Sequence, residues 1–256
     1  MNVTRLFSDD IQLGTTRGFL NDIVNIVDDT ADFVNDVSDA VGEIENDIED
    51  ISDNFDNNDD NNNDKNKLKG TKKDDQIEGN SKNNTINGLK GDDEIDGRNG
   101  NDTLIGASGN DTLTGNNGND RLVGEGGNDS MAGDNGDDRL EGGSGEDVLF
   151  GGNGNDSLDG GTGDDLLFGG KSGTDTLFGS DGKDIFGTKR KSGLDTVLDY
   201  LDGRDKIGLA KGLQFKQLTF TQQASGTLIS AGSDNLLFVN NALVSQFTKN
   251  DFVNEK

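Results

Sequence analysis

Several residue types that carry common chemistry are absent from this chain of 256 residues. It contains no cysteine, histidine, proline or tryptophan. Without cysteine, disulfides and thiolate metal sites are excluded. Without histidine, the chain can form neither a Ser–His–Asp triad nor the two-histidine zinc motif of metalloproteases. Hydrophobic residues make up only 29% of the chain, so a large globular core is not expected.

Positive charge is scarce as well. The chain carries 50 acidic against 23 basic residues, which gives a formal net charge of −27. Such a charge repels phosphate groups, so the expected partners are cations and not nucleic acid or an anionic membrane surface. No apolar run is long enough for a transmembrane helix, and the first residues do not resemble a cleaved signal peptide. We therefore expect no membrane span and, if the protein is exported, another route.

Glycine, in contrast, recurs in a regular pattern. From Gly70 to Gly187 the sequence repeats every nine residues, with one residue inserted in the twelfth of thirteen copies. All thirteen copies begin with glycine, twelve carry aspartate at position six, and all carry an apolar residue at position eight. A disordered tract of solvated turns is the alternative. Because the turn period and the apolar period coincide, the pattern favours a folded repeat.

Each repeat predicts a turn followed by a short strand. Glycine at positions one and four permits the positive φ angles of tight turns. In a three-residue strand the middle side chain points away from its two neighbours, so position eight should line a narrow interior. The predicted interior residues are Ile77, Ile86, Ile95, Leu104, Leu113, Leu122, Met131, Leu140, Leu149, Leu158, Leu167, Leu177 and Phe186.

The nonapeptide G-G-x-G-x-D-x-U-x, with U apolar, resembles the calcium-binding repeat of the repeats-in-toxin (RTX) family, the hemolysin-type repeat. The resemblance implies an all-β fold: a parallel β-roll with two sheets, two repeats per coil and here about six coils. It also implies several Ca²⁺ ions between stacked turns, held by position-six carboxylates and backbone carbonyls. Hard oxygen ligands of this kind are those that Ca²⁺ prefers.

With two repeats per coil, the position-six aspartates should form two rows of metal ligands, one at each edge of the roll. We expect no catalytic residue and no cofactor other than Ca²⁺. In the first two repeats Lys73 and Lys82 replace the glycine of position four, and Asn84 replaces aspartate, so these repeats are predicted to form an N-terminal cap. The predicted ligands are Asp93, Asp111, Asp129, Asp147, Asp165 and Asp184 in one row, and Asp102, Asp120, Asp138, Asp156 and Asp175 in the other.

Two flanking regions complete the predicted organisation around the 67–187 roll. Residues 1–66 read as an acidic amphipathic helix, over 19–51, and an Asn/Asp-rich disordered linker. The helix could serve self-association or cell-surface docking, or it could be a solubilising appendage. Residues 188–256 read as a small C-terminal β subdomain, or cap, with short antiparallel strands and a tail that resembles a type I secretion signal.

Two details of the C-terminal part remain open at this stage. Asp199, Asp202 and Asp205 either complete a last calcium site or are solvated acids of a turn. Outward positions of the late repeats turn apolar, which predicts a strip that the 194–247 segment covers. The strip consists of Val148, Phe150, Leu166, Phe168 and Ile185.

The sequence thus predicts a secreted, non-enzymatic protein whose roll folds on binding several extracellular Ca²⁺ ions. The alternative is a calcium-dependent cell-surface, adhesion or matrix component that recognises a partner. An enzyme is a third option, but the acidic residues are already explained by the repeat and the helix.

Overall fold

The described residues form two β-sheets, and successive repeats contribute their strands to one sheet and the other in turn. The computed structural model describes residues 66–188 and 193–254, which belong to one structural unit, Asp59–Lys256. The predicted helix over 19–51 and nearly all of the predicted linker lie outside the described residues. Within the described ranges no helix is long and apolar enough to cross a membrane.

The first sheet has eleven strands and the second has nine. In spatial order the first sheet consists of β1 (Lys67–Lys69), β3 (Thr85–Lys90), β5 (Thr103–Ser108), β7 (Arg121–Gly126), β9 (Arg139–Ser144), β11 (Ser157–Thr162), β13 (Thr176–Asp181), β15 (Asp195–Val197), β19 (Asp234–Asn240), β18 (Gly226–Ala231) and β17 (Leu218–Gln223). The second consists of β2 (Gln76–Glu78), β4 (Glu94–Asp96), β6 (Thr112–Asn117), β8 (Ser130–Asn135), β10 (Val148–Asn153), β12 (Leu166–Ser172), β14 (Ile185–Gly187), β16 (Lys206–Leu209) and β20 (Phe252–Asn254).

Neighbouring strands in the repeat region run parallel and are offset by two repeats. Leu104, for example, lies opposite Leu122, and Leu149 lies opposite Leu167. The predicted interior is confirmed: every position-eight side chain from Ile86 to Phe186 is at most 1% exposed. Only Ile77, at the end of the column, is partly exposed. A single column of apolar side chains therefore forms the core between the two sheets.

The all-β parallel roll is confirmed, but the prediction of about six coils is wrong. The roll has about eight turns, because β15, β16, β19 and β20 continue both sheets in parallel beyond Gly187. The nine-residue period ends there, yet an aspartate still precedes an inward apolar residue by two positions. Val197 and Ile207 are both fully buried and extend the core column. Coils therefore continue although their turns no longer have the repeat length.

The predicted antiparallel strands of the C-terminal segment are also present. Strands β17, β18 and β19 pair antiparallel, and β19 joins the roll through parallel pairing with β15. Three short 3₁₀ helices lie among them, at Phe215–Gln217, Val244–Gln246 and Lys249–Asp251. Aromatic side chains pack beside these elements with ring centroids 5.2–6.2 Å apart, and they stabilise the C-terminal end of the roll. They are Tyr200, Phe215, Phe220, Phe247 and Phe252.

The predicted cover over the apolar strip is wrong at Phe150, whose side chain is 43% exposed. The C-terminal segment extends the ends of the two sheets, and its aromatic side chains pack against one another. Two members of the strip shield each other in part, because the sheet register places Phe150 opposite Phe168. Their rings stack with centroids 4.9 Å apart and planes within 2° of parallel.

Candidate calcium-binding turns

The backbone of the turns requires glycine at position four. Gly109, for example, has a φ of 132°, and a Cβ placed there would lie 1.8 Å from the carbonyl oxygen of Gly91 in the preceding coil. No side chain fits such a contact. The stacked turns therefore approach one another through their backbones, and a carbonyl oxygen of one coil lies against the glycine of the next.

The predicted aspartates stack in two buried rows, one at each edge of the roll. All eleven are at most 3% exposed. In each, Oδ1 accepts a hydrogen bond from the backbone N–H of the position-six residue one coil earlier, at 2.6–3.1 Å. Asp129, for example, accepts from Asp111 at 2.8 Å, and Asp147 accepts from Asp129 at 2.8 Å. One carboxylate oxygen of each residue thus belongs to the structural ladder.

The second carboxylate oxygen, Oδ2, is buried and has no hydrogen-bond partner. Buried polar atoms are normally satisfied, and a buried carboxylate is costly unless a cation or donors surround it. This unpartnered oxygen is shared by the same eleven residues that the repeat pattern singles out: Asp93, Asp102, Asp111, Asp120, Asp129, Asp138, Asp147, Asp156, Asp165, Asp175 and Asp184.

Each unpartnered oxygen lies over the position-one glycine of its own repeat. A Cβ on Gly124 would lie 2.1 Å from Oδ2 of Asp129 and 2.5 Å from the carbonyl oxygen of Gly142 in the next coil. The space left by the missing side chain is thus bordered by a carboxylate oxygen and a carbonyl oxygen. These are hard ligands suited to Ca²⁺, so the residues present fit the metal that the repeat implies.

The electrostatics of the rows also favour a cation. Burial, with a smaller contribution from the neighbouring carboxylates of the rows, raises the pKa of Asp129, Asp156 and Asp165 to about 7. The pKa of Asp120 rises to about 6 for the same two reasons. Such groups are costly to ionise in the absence of positive charge. Bound cations remove this cost because they favour the charged form.

No point among the described residues is surrounded by three or more acidic, histidine or cysteine side chains. A metal in these turns would therefore draw part of its ligands from backbone carbonyls, as the resemblance implies. The geometry differs from a compact carboxylate cluster, because successive aspartates of a row belong to different coils.

At the N-terminal end, the chain itself supplies donors to the position-six side chains. Oδ2 of Asp75 accepts hydrogen bonds from the backbone N–H of Thr71 at 2.6 Å and from its hydroxyl at 3.0 Å. Oδ1 of Asn84 accepts from the N–H of Asn80 at 2.7 Å. These two repeats differ from the intact ones, as the substitutions at Lys73 and Lys82 led us to expect.

At the C-terminal end, Asp205 continues the first row and Asp195 the second, each 1% exposed. Oδ2 of Asp205 accepts from the N–H of Leu201 at 2.7 Å. The carboxylate of Asp199 accepts from the N–H groups of Gly179 and Ser180 at 3.0 and 2.7 Å. Asp199 and Asp205 are thus hydrogen-bonded parts of the last turn.

Of the three acids whose role was open, only Asp202 is exposed to solvent. The interpretation as solvated turn acids therefore holds for Asp202 alone. Asp195 and Asp205 could have been assigned to the rows from the sequence. Each is followed two positions later by an apolar residue, Val197 and Ile207, as in the repeats.

Position five also links successive coils by hydrogen bonds, a role that the sequence pattern does not predict. The side-chain oxygen of a position-five residue accepts a hydrogen bond from the backbone N–H of the position-five residue in the following coil. Asn110 accepts from Asn128 at 2.8 Å, and Asn128 accepts from Glu146 at 2.9 Å. The signal was available, because position five is aspartate or asparagine in most repeats. Positions five and six together join each turn to the coils on both sides without a metal.

Similarity to known proteins agrees with the repeat assignment. A family profile described as the RTX calcium-binding nonapeptide repeat (4 copies) matches residues 69–104, 96–131, 105–140, 132–167 and 170–187. A search of curated proteins found no match.

Two solved structures show a distant likeness. The extracellular lipase LipA from Serratia marcescens is 18% identical with a TM-score of 0.23, and the match covers 73% of this chain and 40% of the lipase chain. A subunit of the mannuronan C5-epimerase from Azotobacter vinelandii is 17% identical with a TM-score of 0.24, covering 72% of this chain and 80% of that one. The chain spans about two fifths of the lipase. Likenesses as distant as these do not bear on function. The family match and the glycine-rich turns identify residues 69–187 as RTX nonapeptide repeats, which bind Ca²⁺.

Proposed function

We propose that this chain is a secreted, non-enzymatic calcium-binding protein whose roll folds when extracellular Ca²⁺ binds. The ligands in this proposal are the eleven aspartates from Asp93 to Asp184 with an unpartnered Oδ2, together with carbonyl oxygens of the stacked turns. The observation that carries it is that these buried oxygens lack a donor in every intact repeat, whereas Asp75, Asn84 and Asp205 have one.

The energetic argument compares the core with the metal. The repeat region buries one apolar side chain per nine residues, which is little against the conformational entropy that each ordered residue loses. Two rows of buried carboxylates oppose folding further. Extracellular calcium modules have dissociation constants of about 1 mM, and a tenfold excess of calcium then contributes about 1.4 kcal/mol per site. Several such sites are expected to decide whether the roll folds.

Secretion follows from the same dependence on calcium. In a cytosol poor in calcium the chain would remain largely unfolded and could be exported, and it would fold where calcium is abundant. The tail of the C-terminal segment, which resembles a type I secretion signal, supports this route. Within this proposal residues 67–187 are the calcium-binding roll, 188–256 the cap with the signal, and 1–66 the helix and linker.

A non-enzymatic role is supported by the residues available for chemistry. With neither histidine nor cysteine, catalysis would have to rely mainly on carboxylates. The buried aspartates in the described part of the chain belong to the two rows, to the terminal turns, or to the ion pair of Asp251 with Lys206 at 3.7 Å. Each buried acid therefore has a structural explanation.

A calcium titration followed by circular dichroism tests the proposal. In metal-free buffer the spectrum should be mostly that of an unfolded chain, and β structure should appear as calcium reaches the millimolar range. Mg²⁺ is the control, because it is smaller and gives up its water reluctantly. A roll that is fully folded without calcium would refute calcium-driven folding, and so would equal folding by Mg²⁺.

A second candidate function is adhesion to a partner in the presence of calcium. The exposed Phe150, stacked on Phe168, forms an apolar surface of the kind that often marks a contact site. A pull-down from cell surfaces with and without calcium tests this candidate, with Phe150→Ser as the comparison variant. Calcium-dependent retention that the substitution abolishes would favour adhesion, whereas equal recovery in the soluble fraction would favour a free secreted protein.

A further inference from the structure

The last turn of the first row contains a cation that belongs to the chain. Arg204 directly precedes Asp205, the residue that follows Asp184 in this row. Its Nε lies 3.1 Å from Oδ1 of Asp205, and its terminal nitrogen donates to the carbonyl oxygen of Ser180 at 2.7 Å. Ser180 belongs to the preceding turn of the same edge. The guanidinium thus joins two successive turns through one carboxylate and one carbonyl oxygen.

These are the same two kinds of ligand that border the space beside Asp129 and most of the other unpartnered aspartates. There, no donor reaches Oδ2 from Asp93 to Asp184. At the last turn, in contrast, both oxygens of Asp205 have donors, since Oδ2 accepts from Leu201 and Oδ1 from Asp184 as well as Arg204. The chain therefore satisfies its own carboxylate at this step.

The charges around Arg204 support the same conclusion. Its side chain is 30% exposed, while that of Asp205 is 1% exposed. Burial is the main cause of the raised pKa of Asp184, the carboxylates of Asp205 and Asp199 add to it, and Arg204 lowers it. The positive charge of Arg204 thus lies directly beside the buried carboxylate of Asp205 and favours the charged form of Asp184 as well.

We propose that Arg204 takes the place of Ca²⁺ between the last two turns of this edge. Turns 179–184 and 198–205 are held together without metal, and the calcium-binding part of the row ends at Asp184. Because a guanidinium donates hydrogen bonds in a fixed planar fork, it can link a carbonyl and a carboxylate of adjacent coils as a metal ion would. This inference rests on the proposed function, and it adds a boundary that the repeat pattern alone does not define.

Calcium stoichiometry measured by equilibrium dialysis and isothermal titration calorimetry tests the proposal. Arg204→Gln removes the charge, so Asp205 and the Ser180 carbonyl become available and the variant should bind one more calcium ion than the wild type. Arg204→Lys keeps the charge and should bind the wild-type number. Arg121→Gln is the matched control, because it removes one arginine from the outer face, where it pairs with Glu141 at 2.8 Å.

An unchanged stoichiometry in Arg204→Gln would overturn the proposal. A variant that stays unfolded at saturating calcium would overturn it too, because calcium should be able to replace the guanidinium. If the wild type itself binds no calcium, the proposed function fails instead, and the two failures are therefore distinguishable.

Discussion

The central turns and the end turns of the roll use the same aspartate in two different ways. In the central repeats Oδ1 joins the ladder and Oδ2 is left without a donor, as in Asp129. At the ends, Thr71 donates to Asp75, and Leu201 and Arg204 donate to Asp205. The backbone ladder is common to both, so the difference lies in Oδ2, which has a donor from Thr71 in Asp75 and from Leu201 in Asp205 but none in Asp129. The comparison supports our proposal that the central turns depend on metal and the end turns do not.

The largest expected effect is that of pH on the calcium-free roll. Burial raises the pKa of Asp129 and Asp156 to about 7 in the folded state, well above the ordinary value near 4. The folded chain therefore binds more protons than the unfolded one, and this stability is complete below pH about 4 and lost as pH rises through about 7. Circular dichroism in metal-free buffer should show more β structure at pH 5.5 than at pH 8. More structure at pH 8 would contradict the buried, unpaired rows.

Two glycine-to-alanine substitutions in strand β7 compare a glycine beside a proposed calcium ligand with a glycine that lies away from it. Gly124→Ala places a Cβ 2.1 Å from Oδ2 of Asp129, so we expect a loss of about 3 kcal/mol in folding free energy at saturating calcium. The control is Gly126→Ala, where the nearest atom, the Ala107 carbonyl oxygen, lies 3.8 Å away. Denaturant unfolding measures both. Equal losses would show that the space over position one has no special role.

Two aspartate substitutions compare a central turn with an end turn. Asp129→Ala removes an oxygen that accepts from Asp111 and another that has no donor, and it should cost about 2 kcal/mol and clearly raise the calcium midpoint. Asp75→Ala should barely move that midpoint, because Thr71 already satisfies its Oδ2. Calcium titrations of both variants provide the test. Similar midpoint shifts would mean that the first repeats are calcium sites like the others.

The smallest expected effect concerns position five. Asn128→Ala removes one hydrogen bond, to the N–H of Glu146, at an exposed site, which should cost about 0.5 kcal/mol. The loss should be the same at low and high calcium, because the contact involves no metal. Ser130→Ala, an exposed side chain on the adjoining strand, is the control. A loss that changes with calcium would place position five in the metal site.

Much of the roll follows from the sequence because its period sets the register. A nine-residue repeat with one inward residue defines which strands pair and which side chains are buried, and Leu104 and Leu122 pair as that period requires. The aspartate rows were also predictable in position, since Asp102 and Asp120 lie one coil apart. What the pattern could not show is that only one oxygen of each aspartate is used by the ladder.

The ends were less predictable because their turns leave the period. The coil formed by β15 and β16 has turns of other lengths, so counting repeats gave too few coils. The prediction that the C-terminal segment covers the apolar strip was also wrong, because it too concerned residues outside the repeats. Phe220 and Phe247 pack with other aromatic residues of the C-terminal segment, and these contacts between distant residues have no periodic signature. Position five was missed because its exposed side chain looks like an ordinary solvated turn residue.

The most direct test of the central claim is an anomalous-difference map from crystals grown in calcium and measured at long wavelength. We predict peaks about 2.3–2.6 Å from Oδ2 of the central aspartates, Asp93 to Asp184, in both rows. No peak is expected beside Asp75, Asn84 or Asp205. Peaks confined to outer acids such as Asp92 and Asp164, or peaks of equal height at Asp75 and Asp129, would contradict the account.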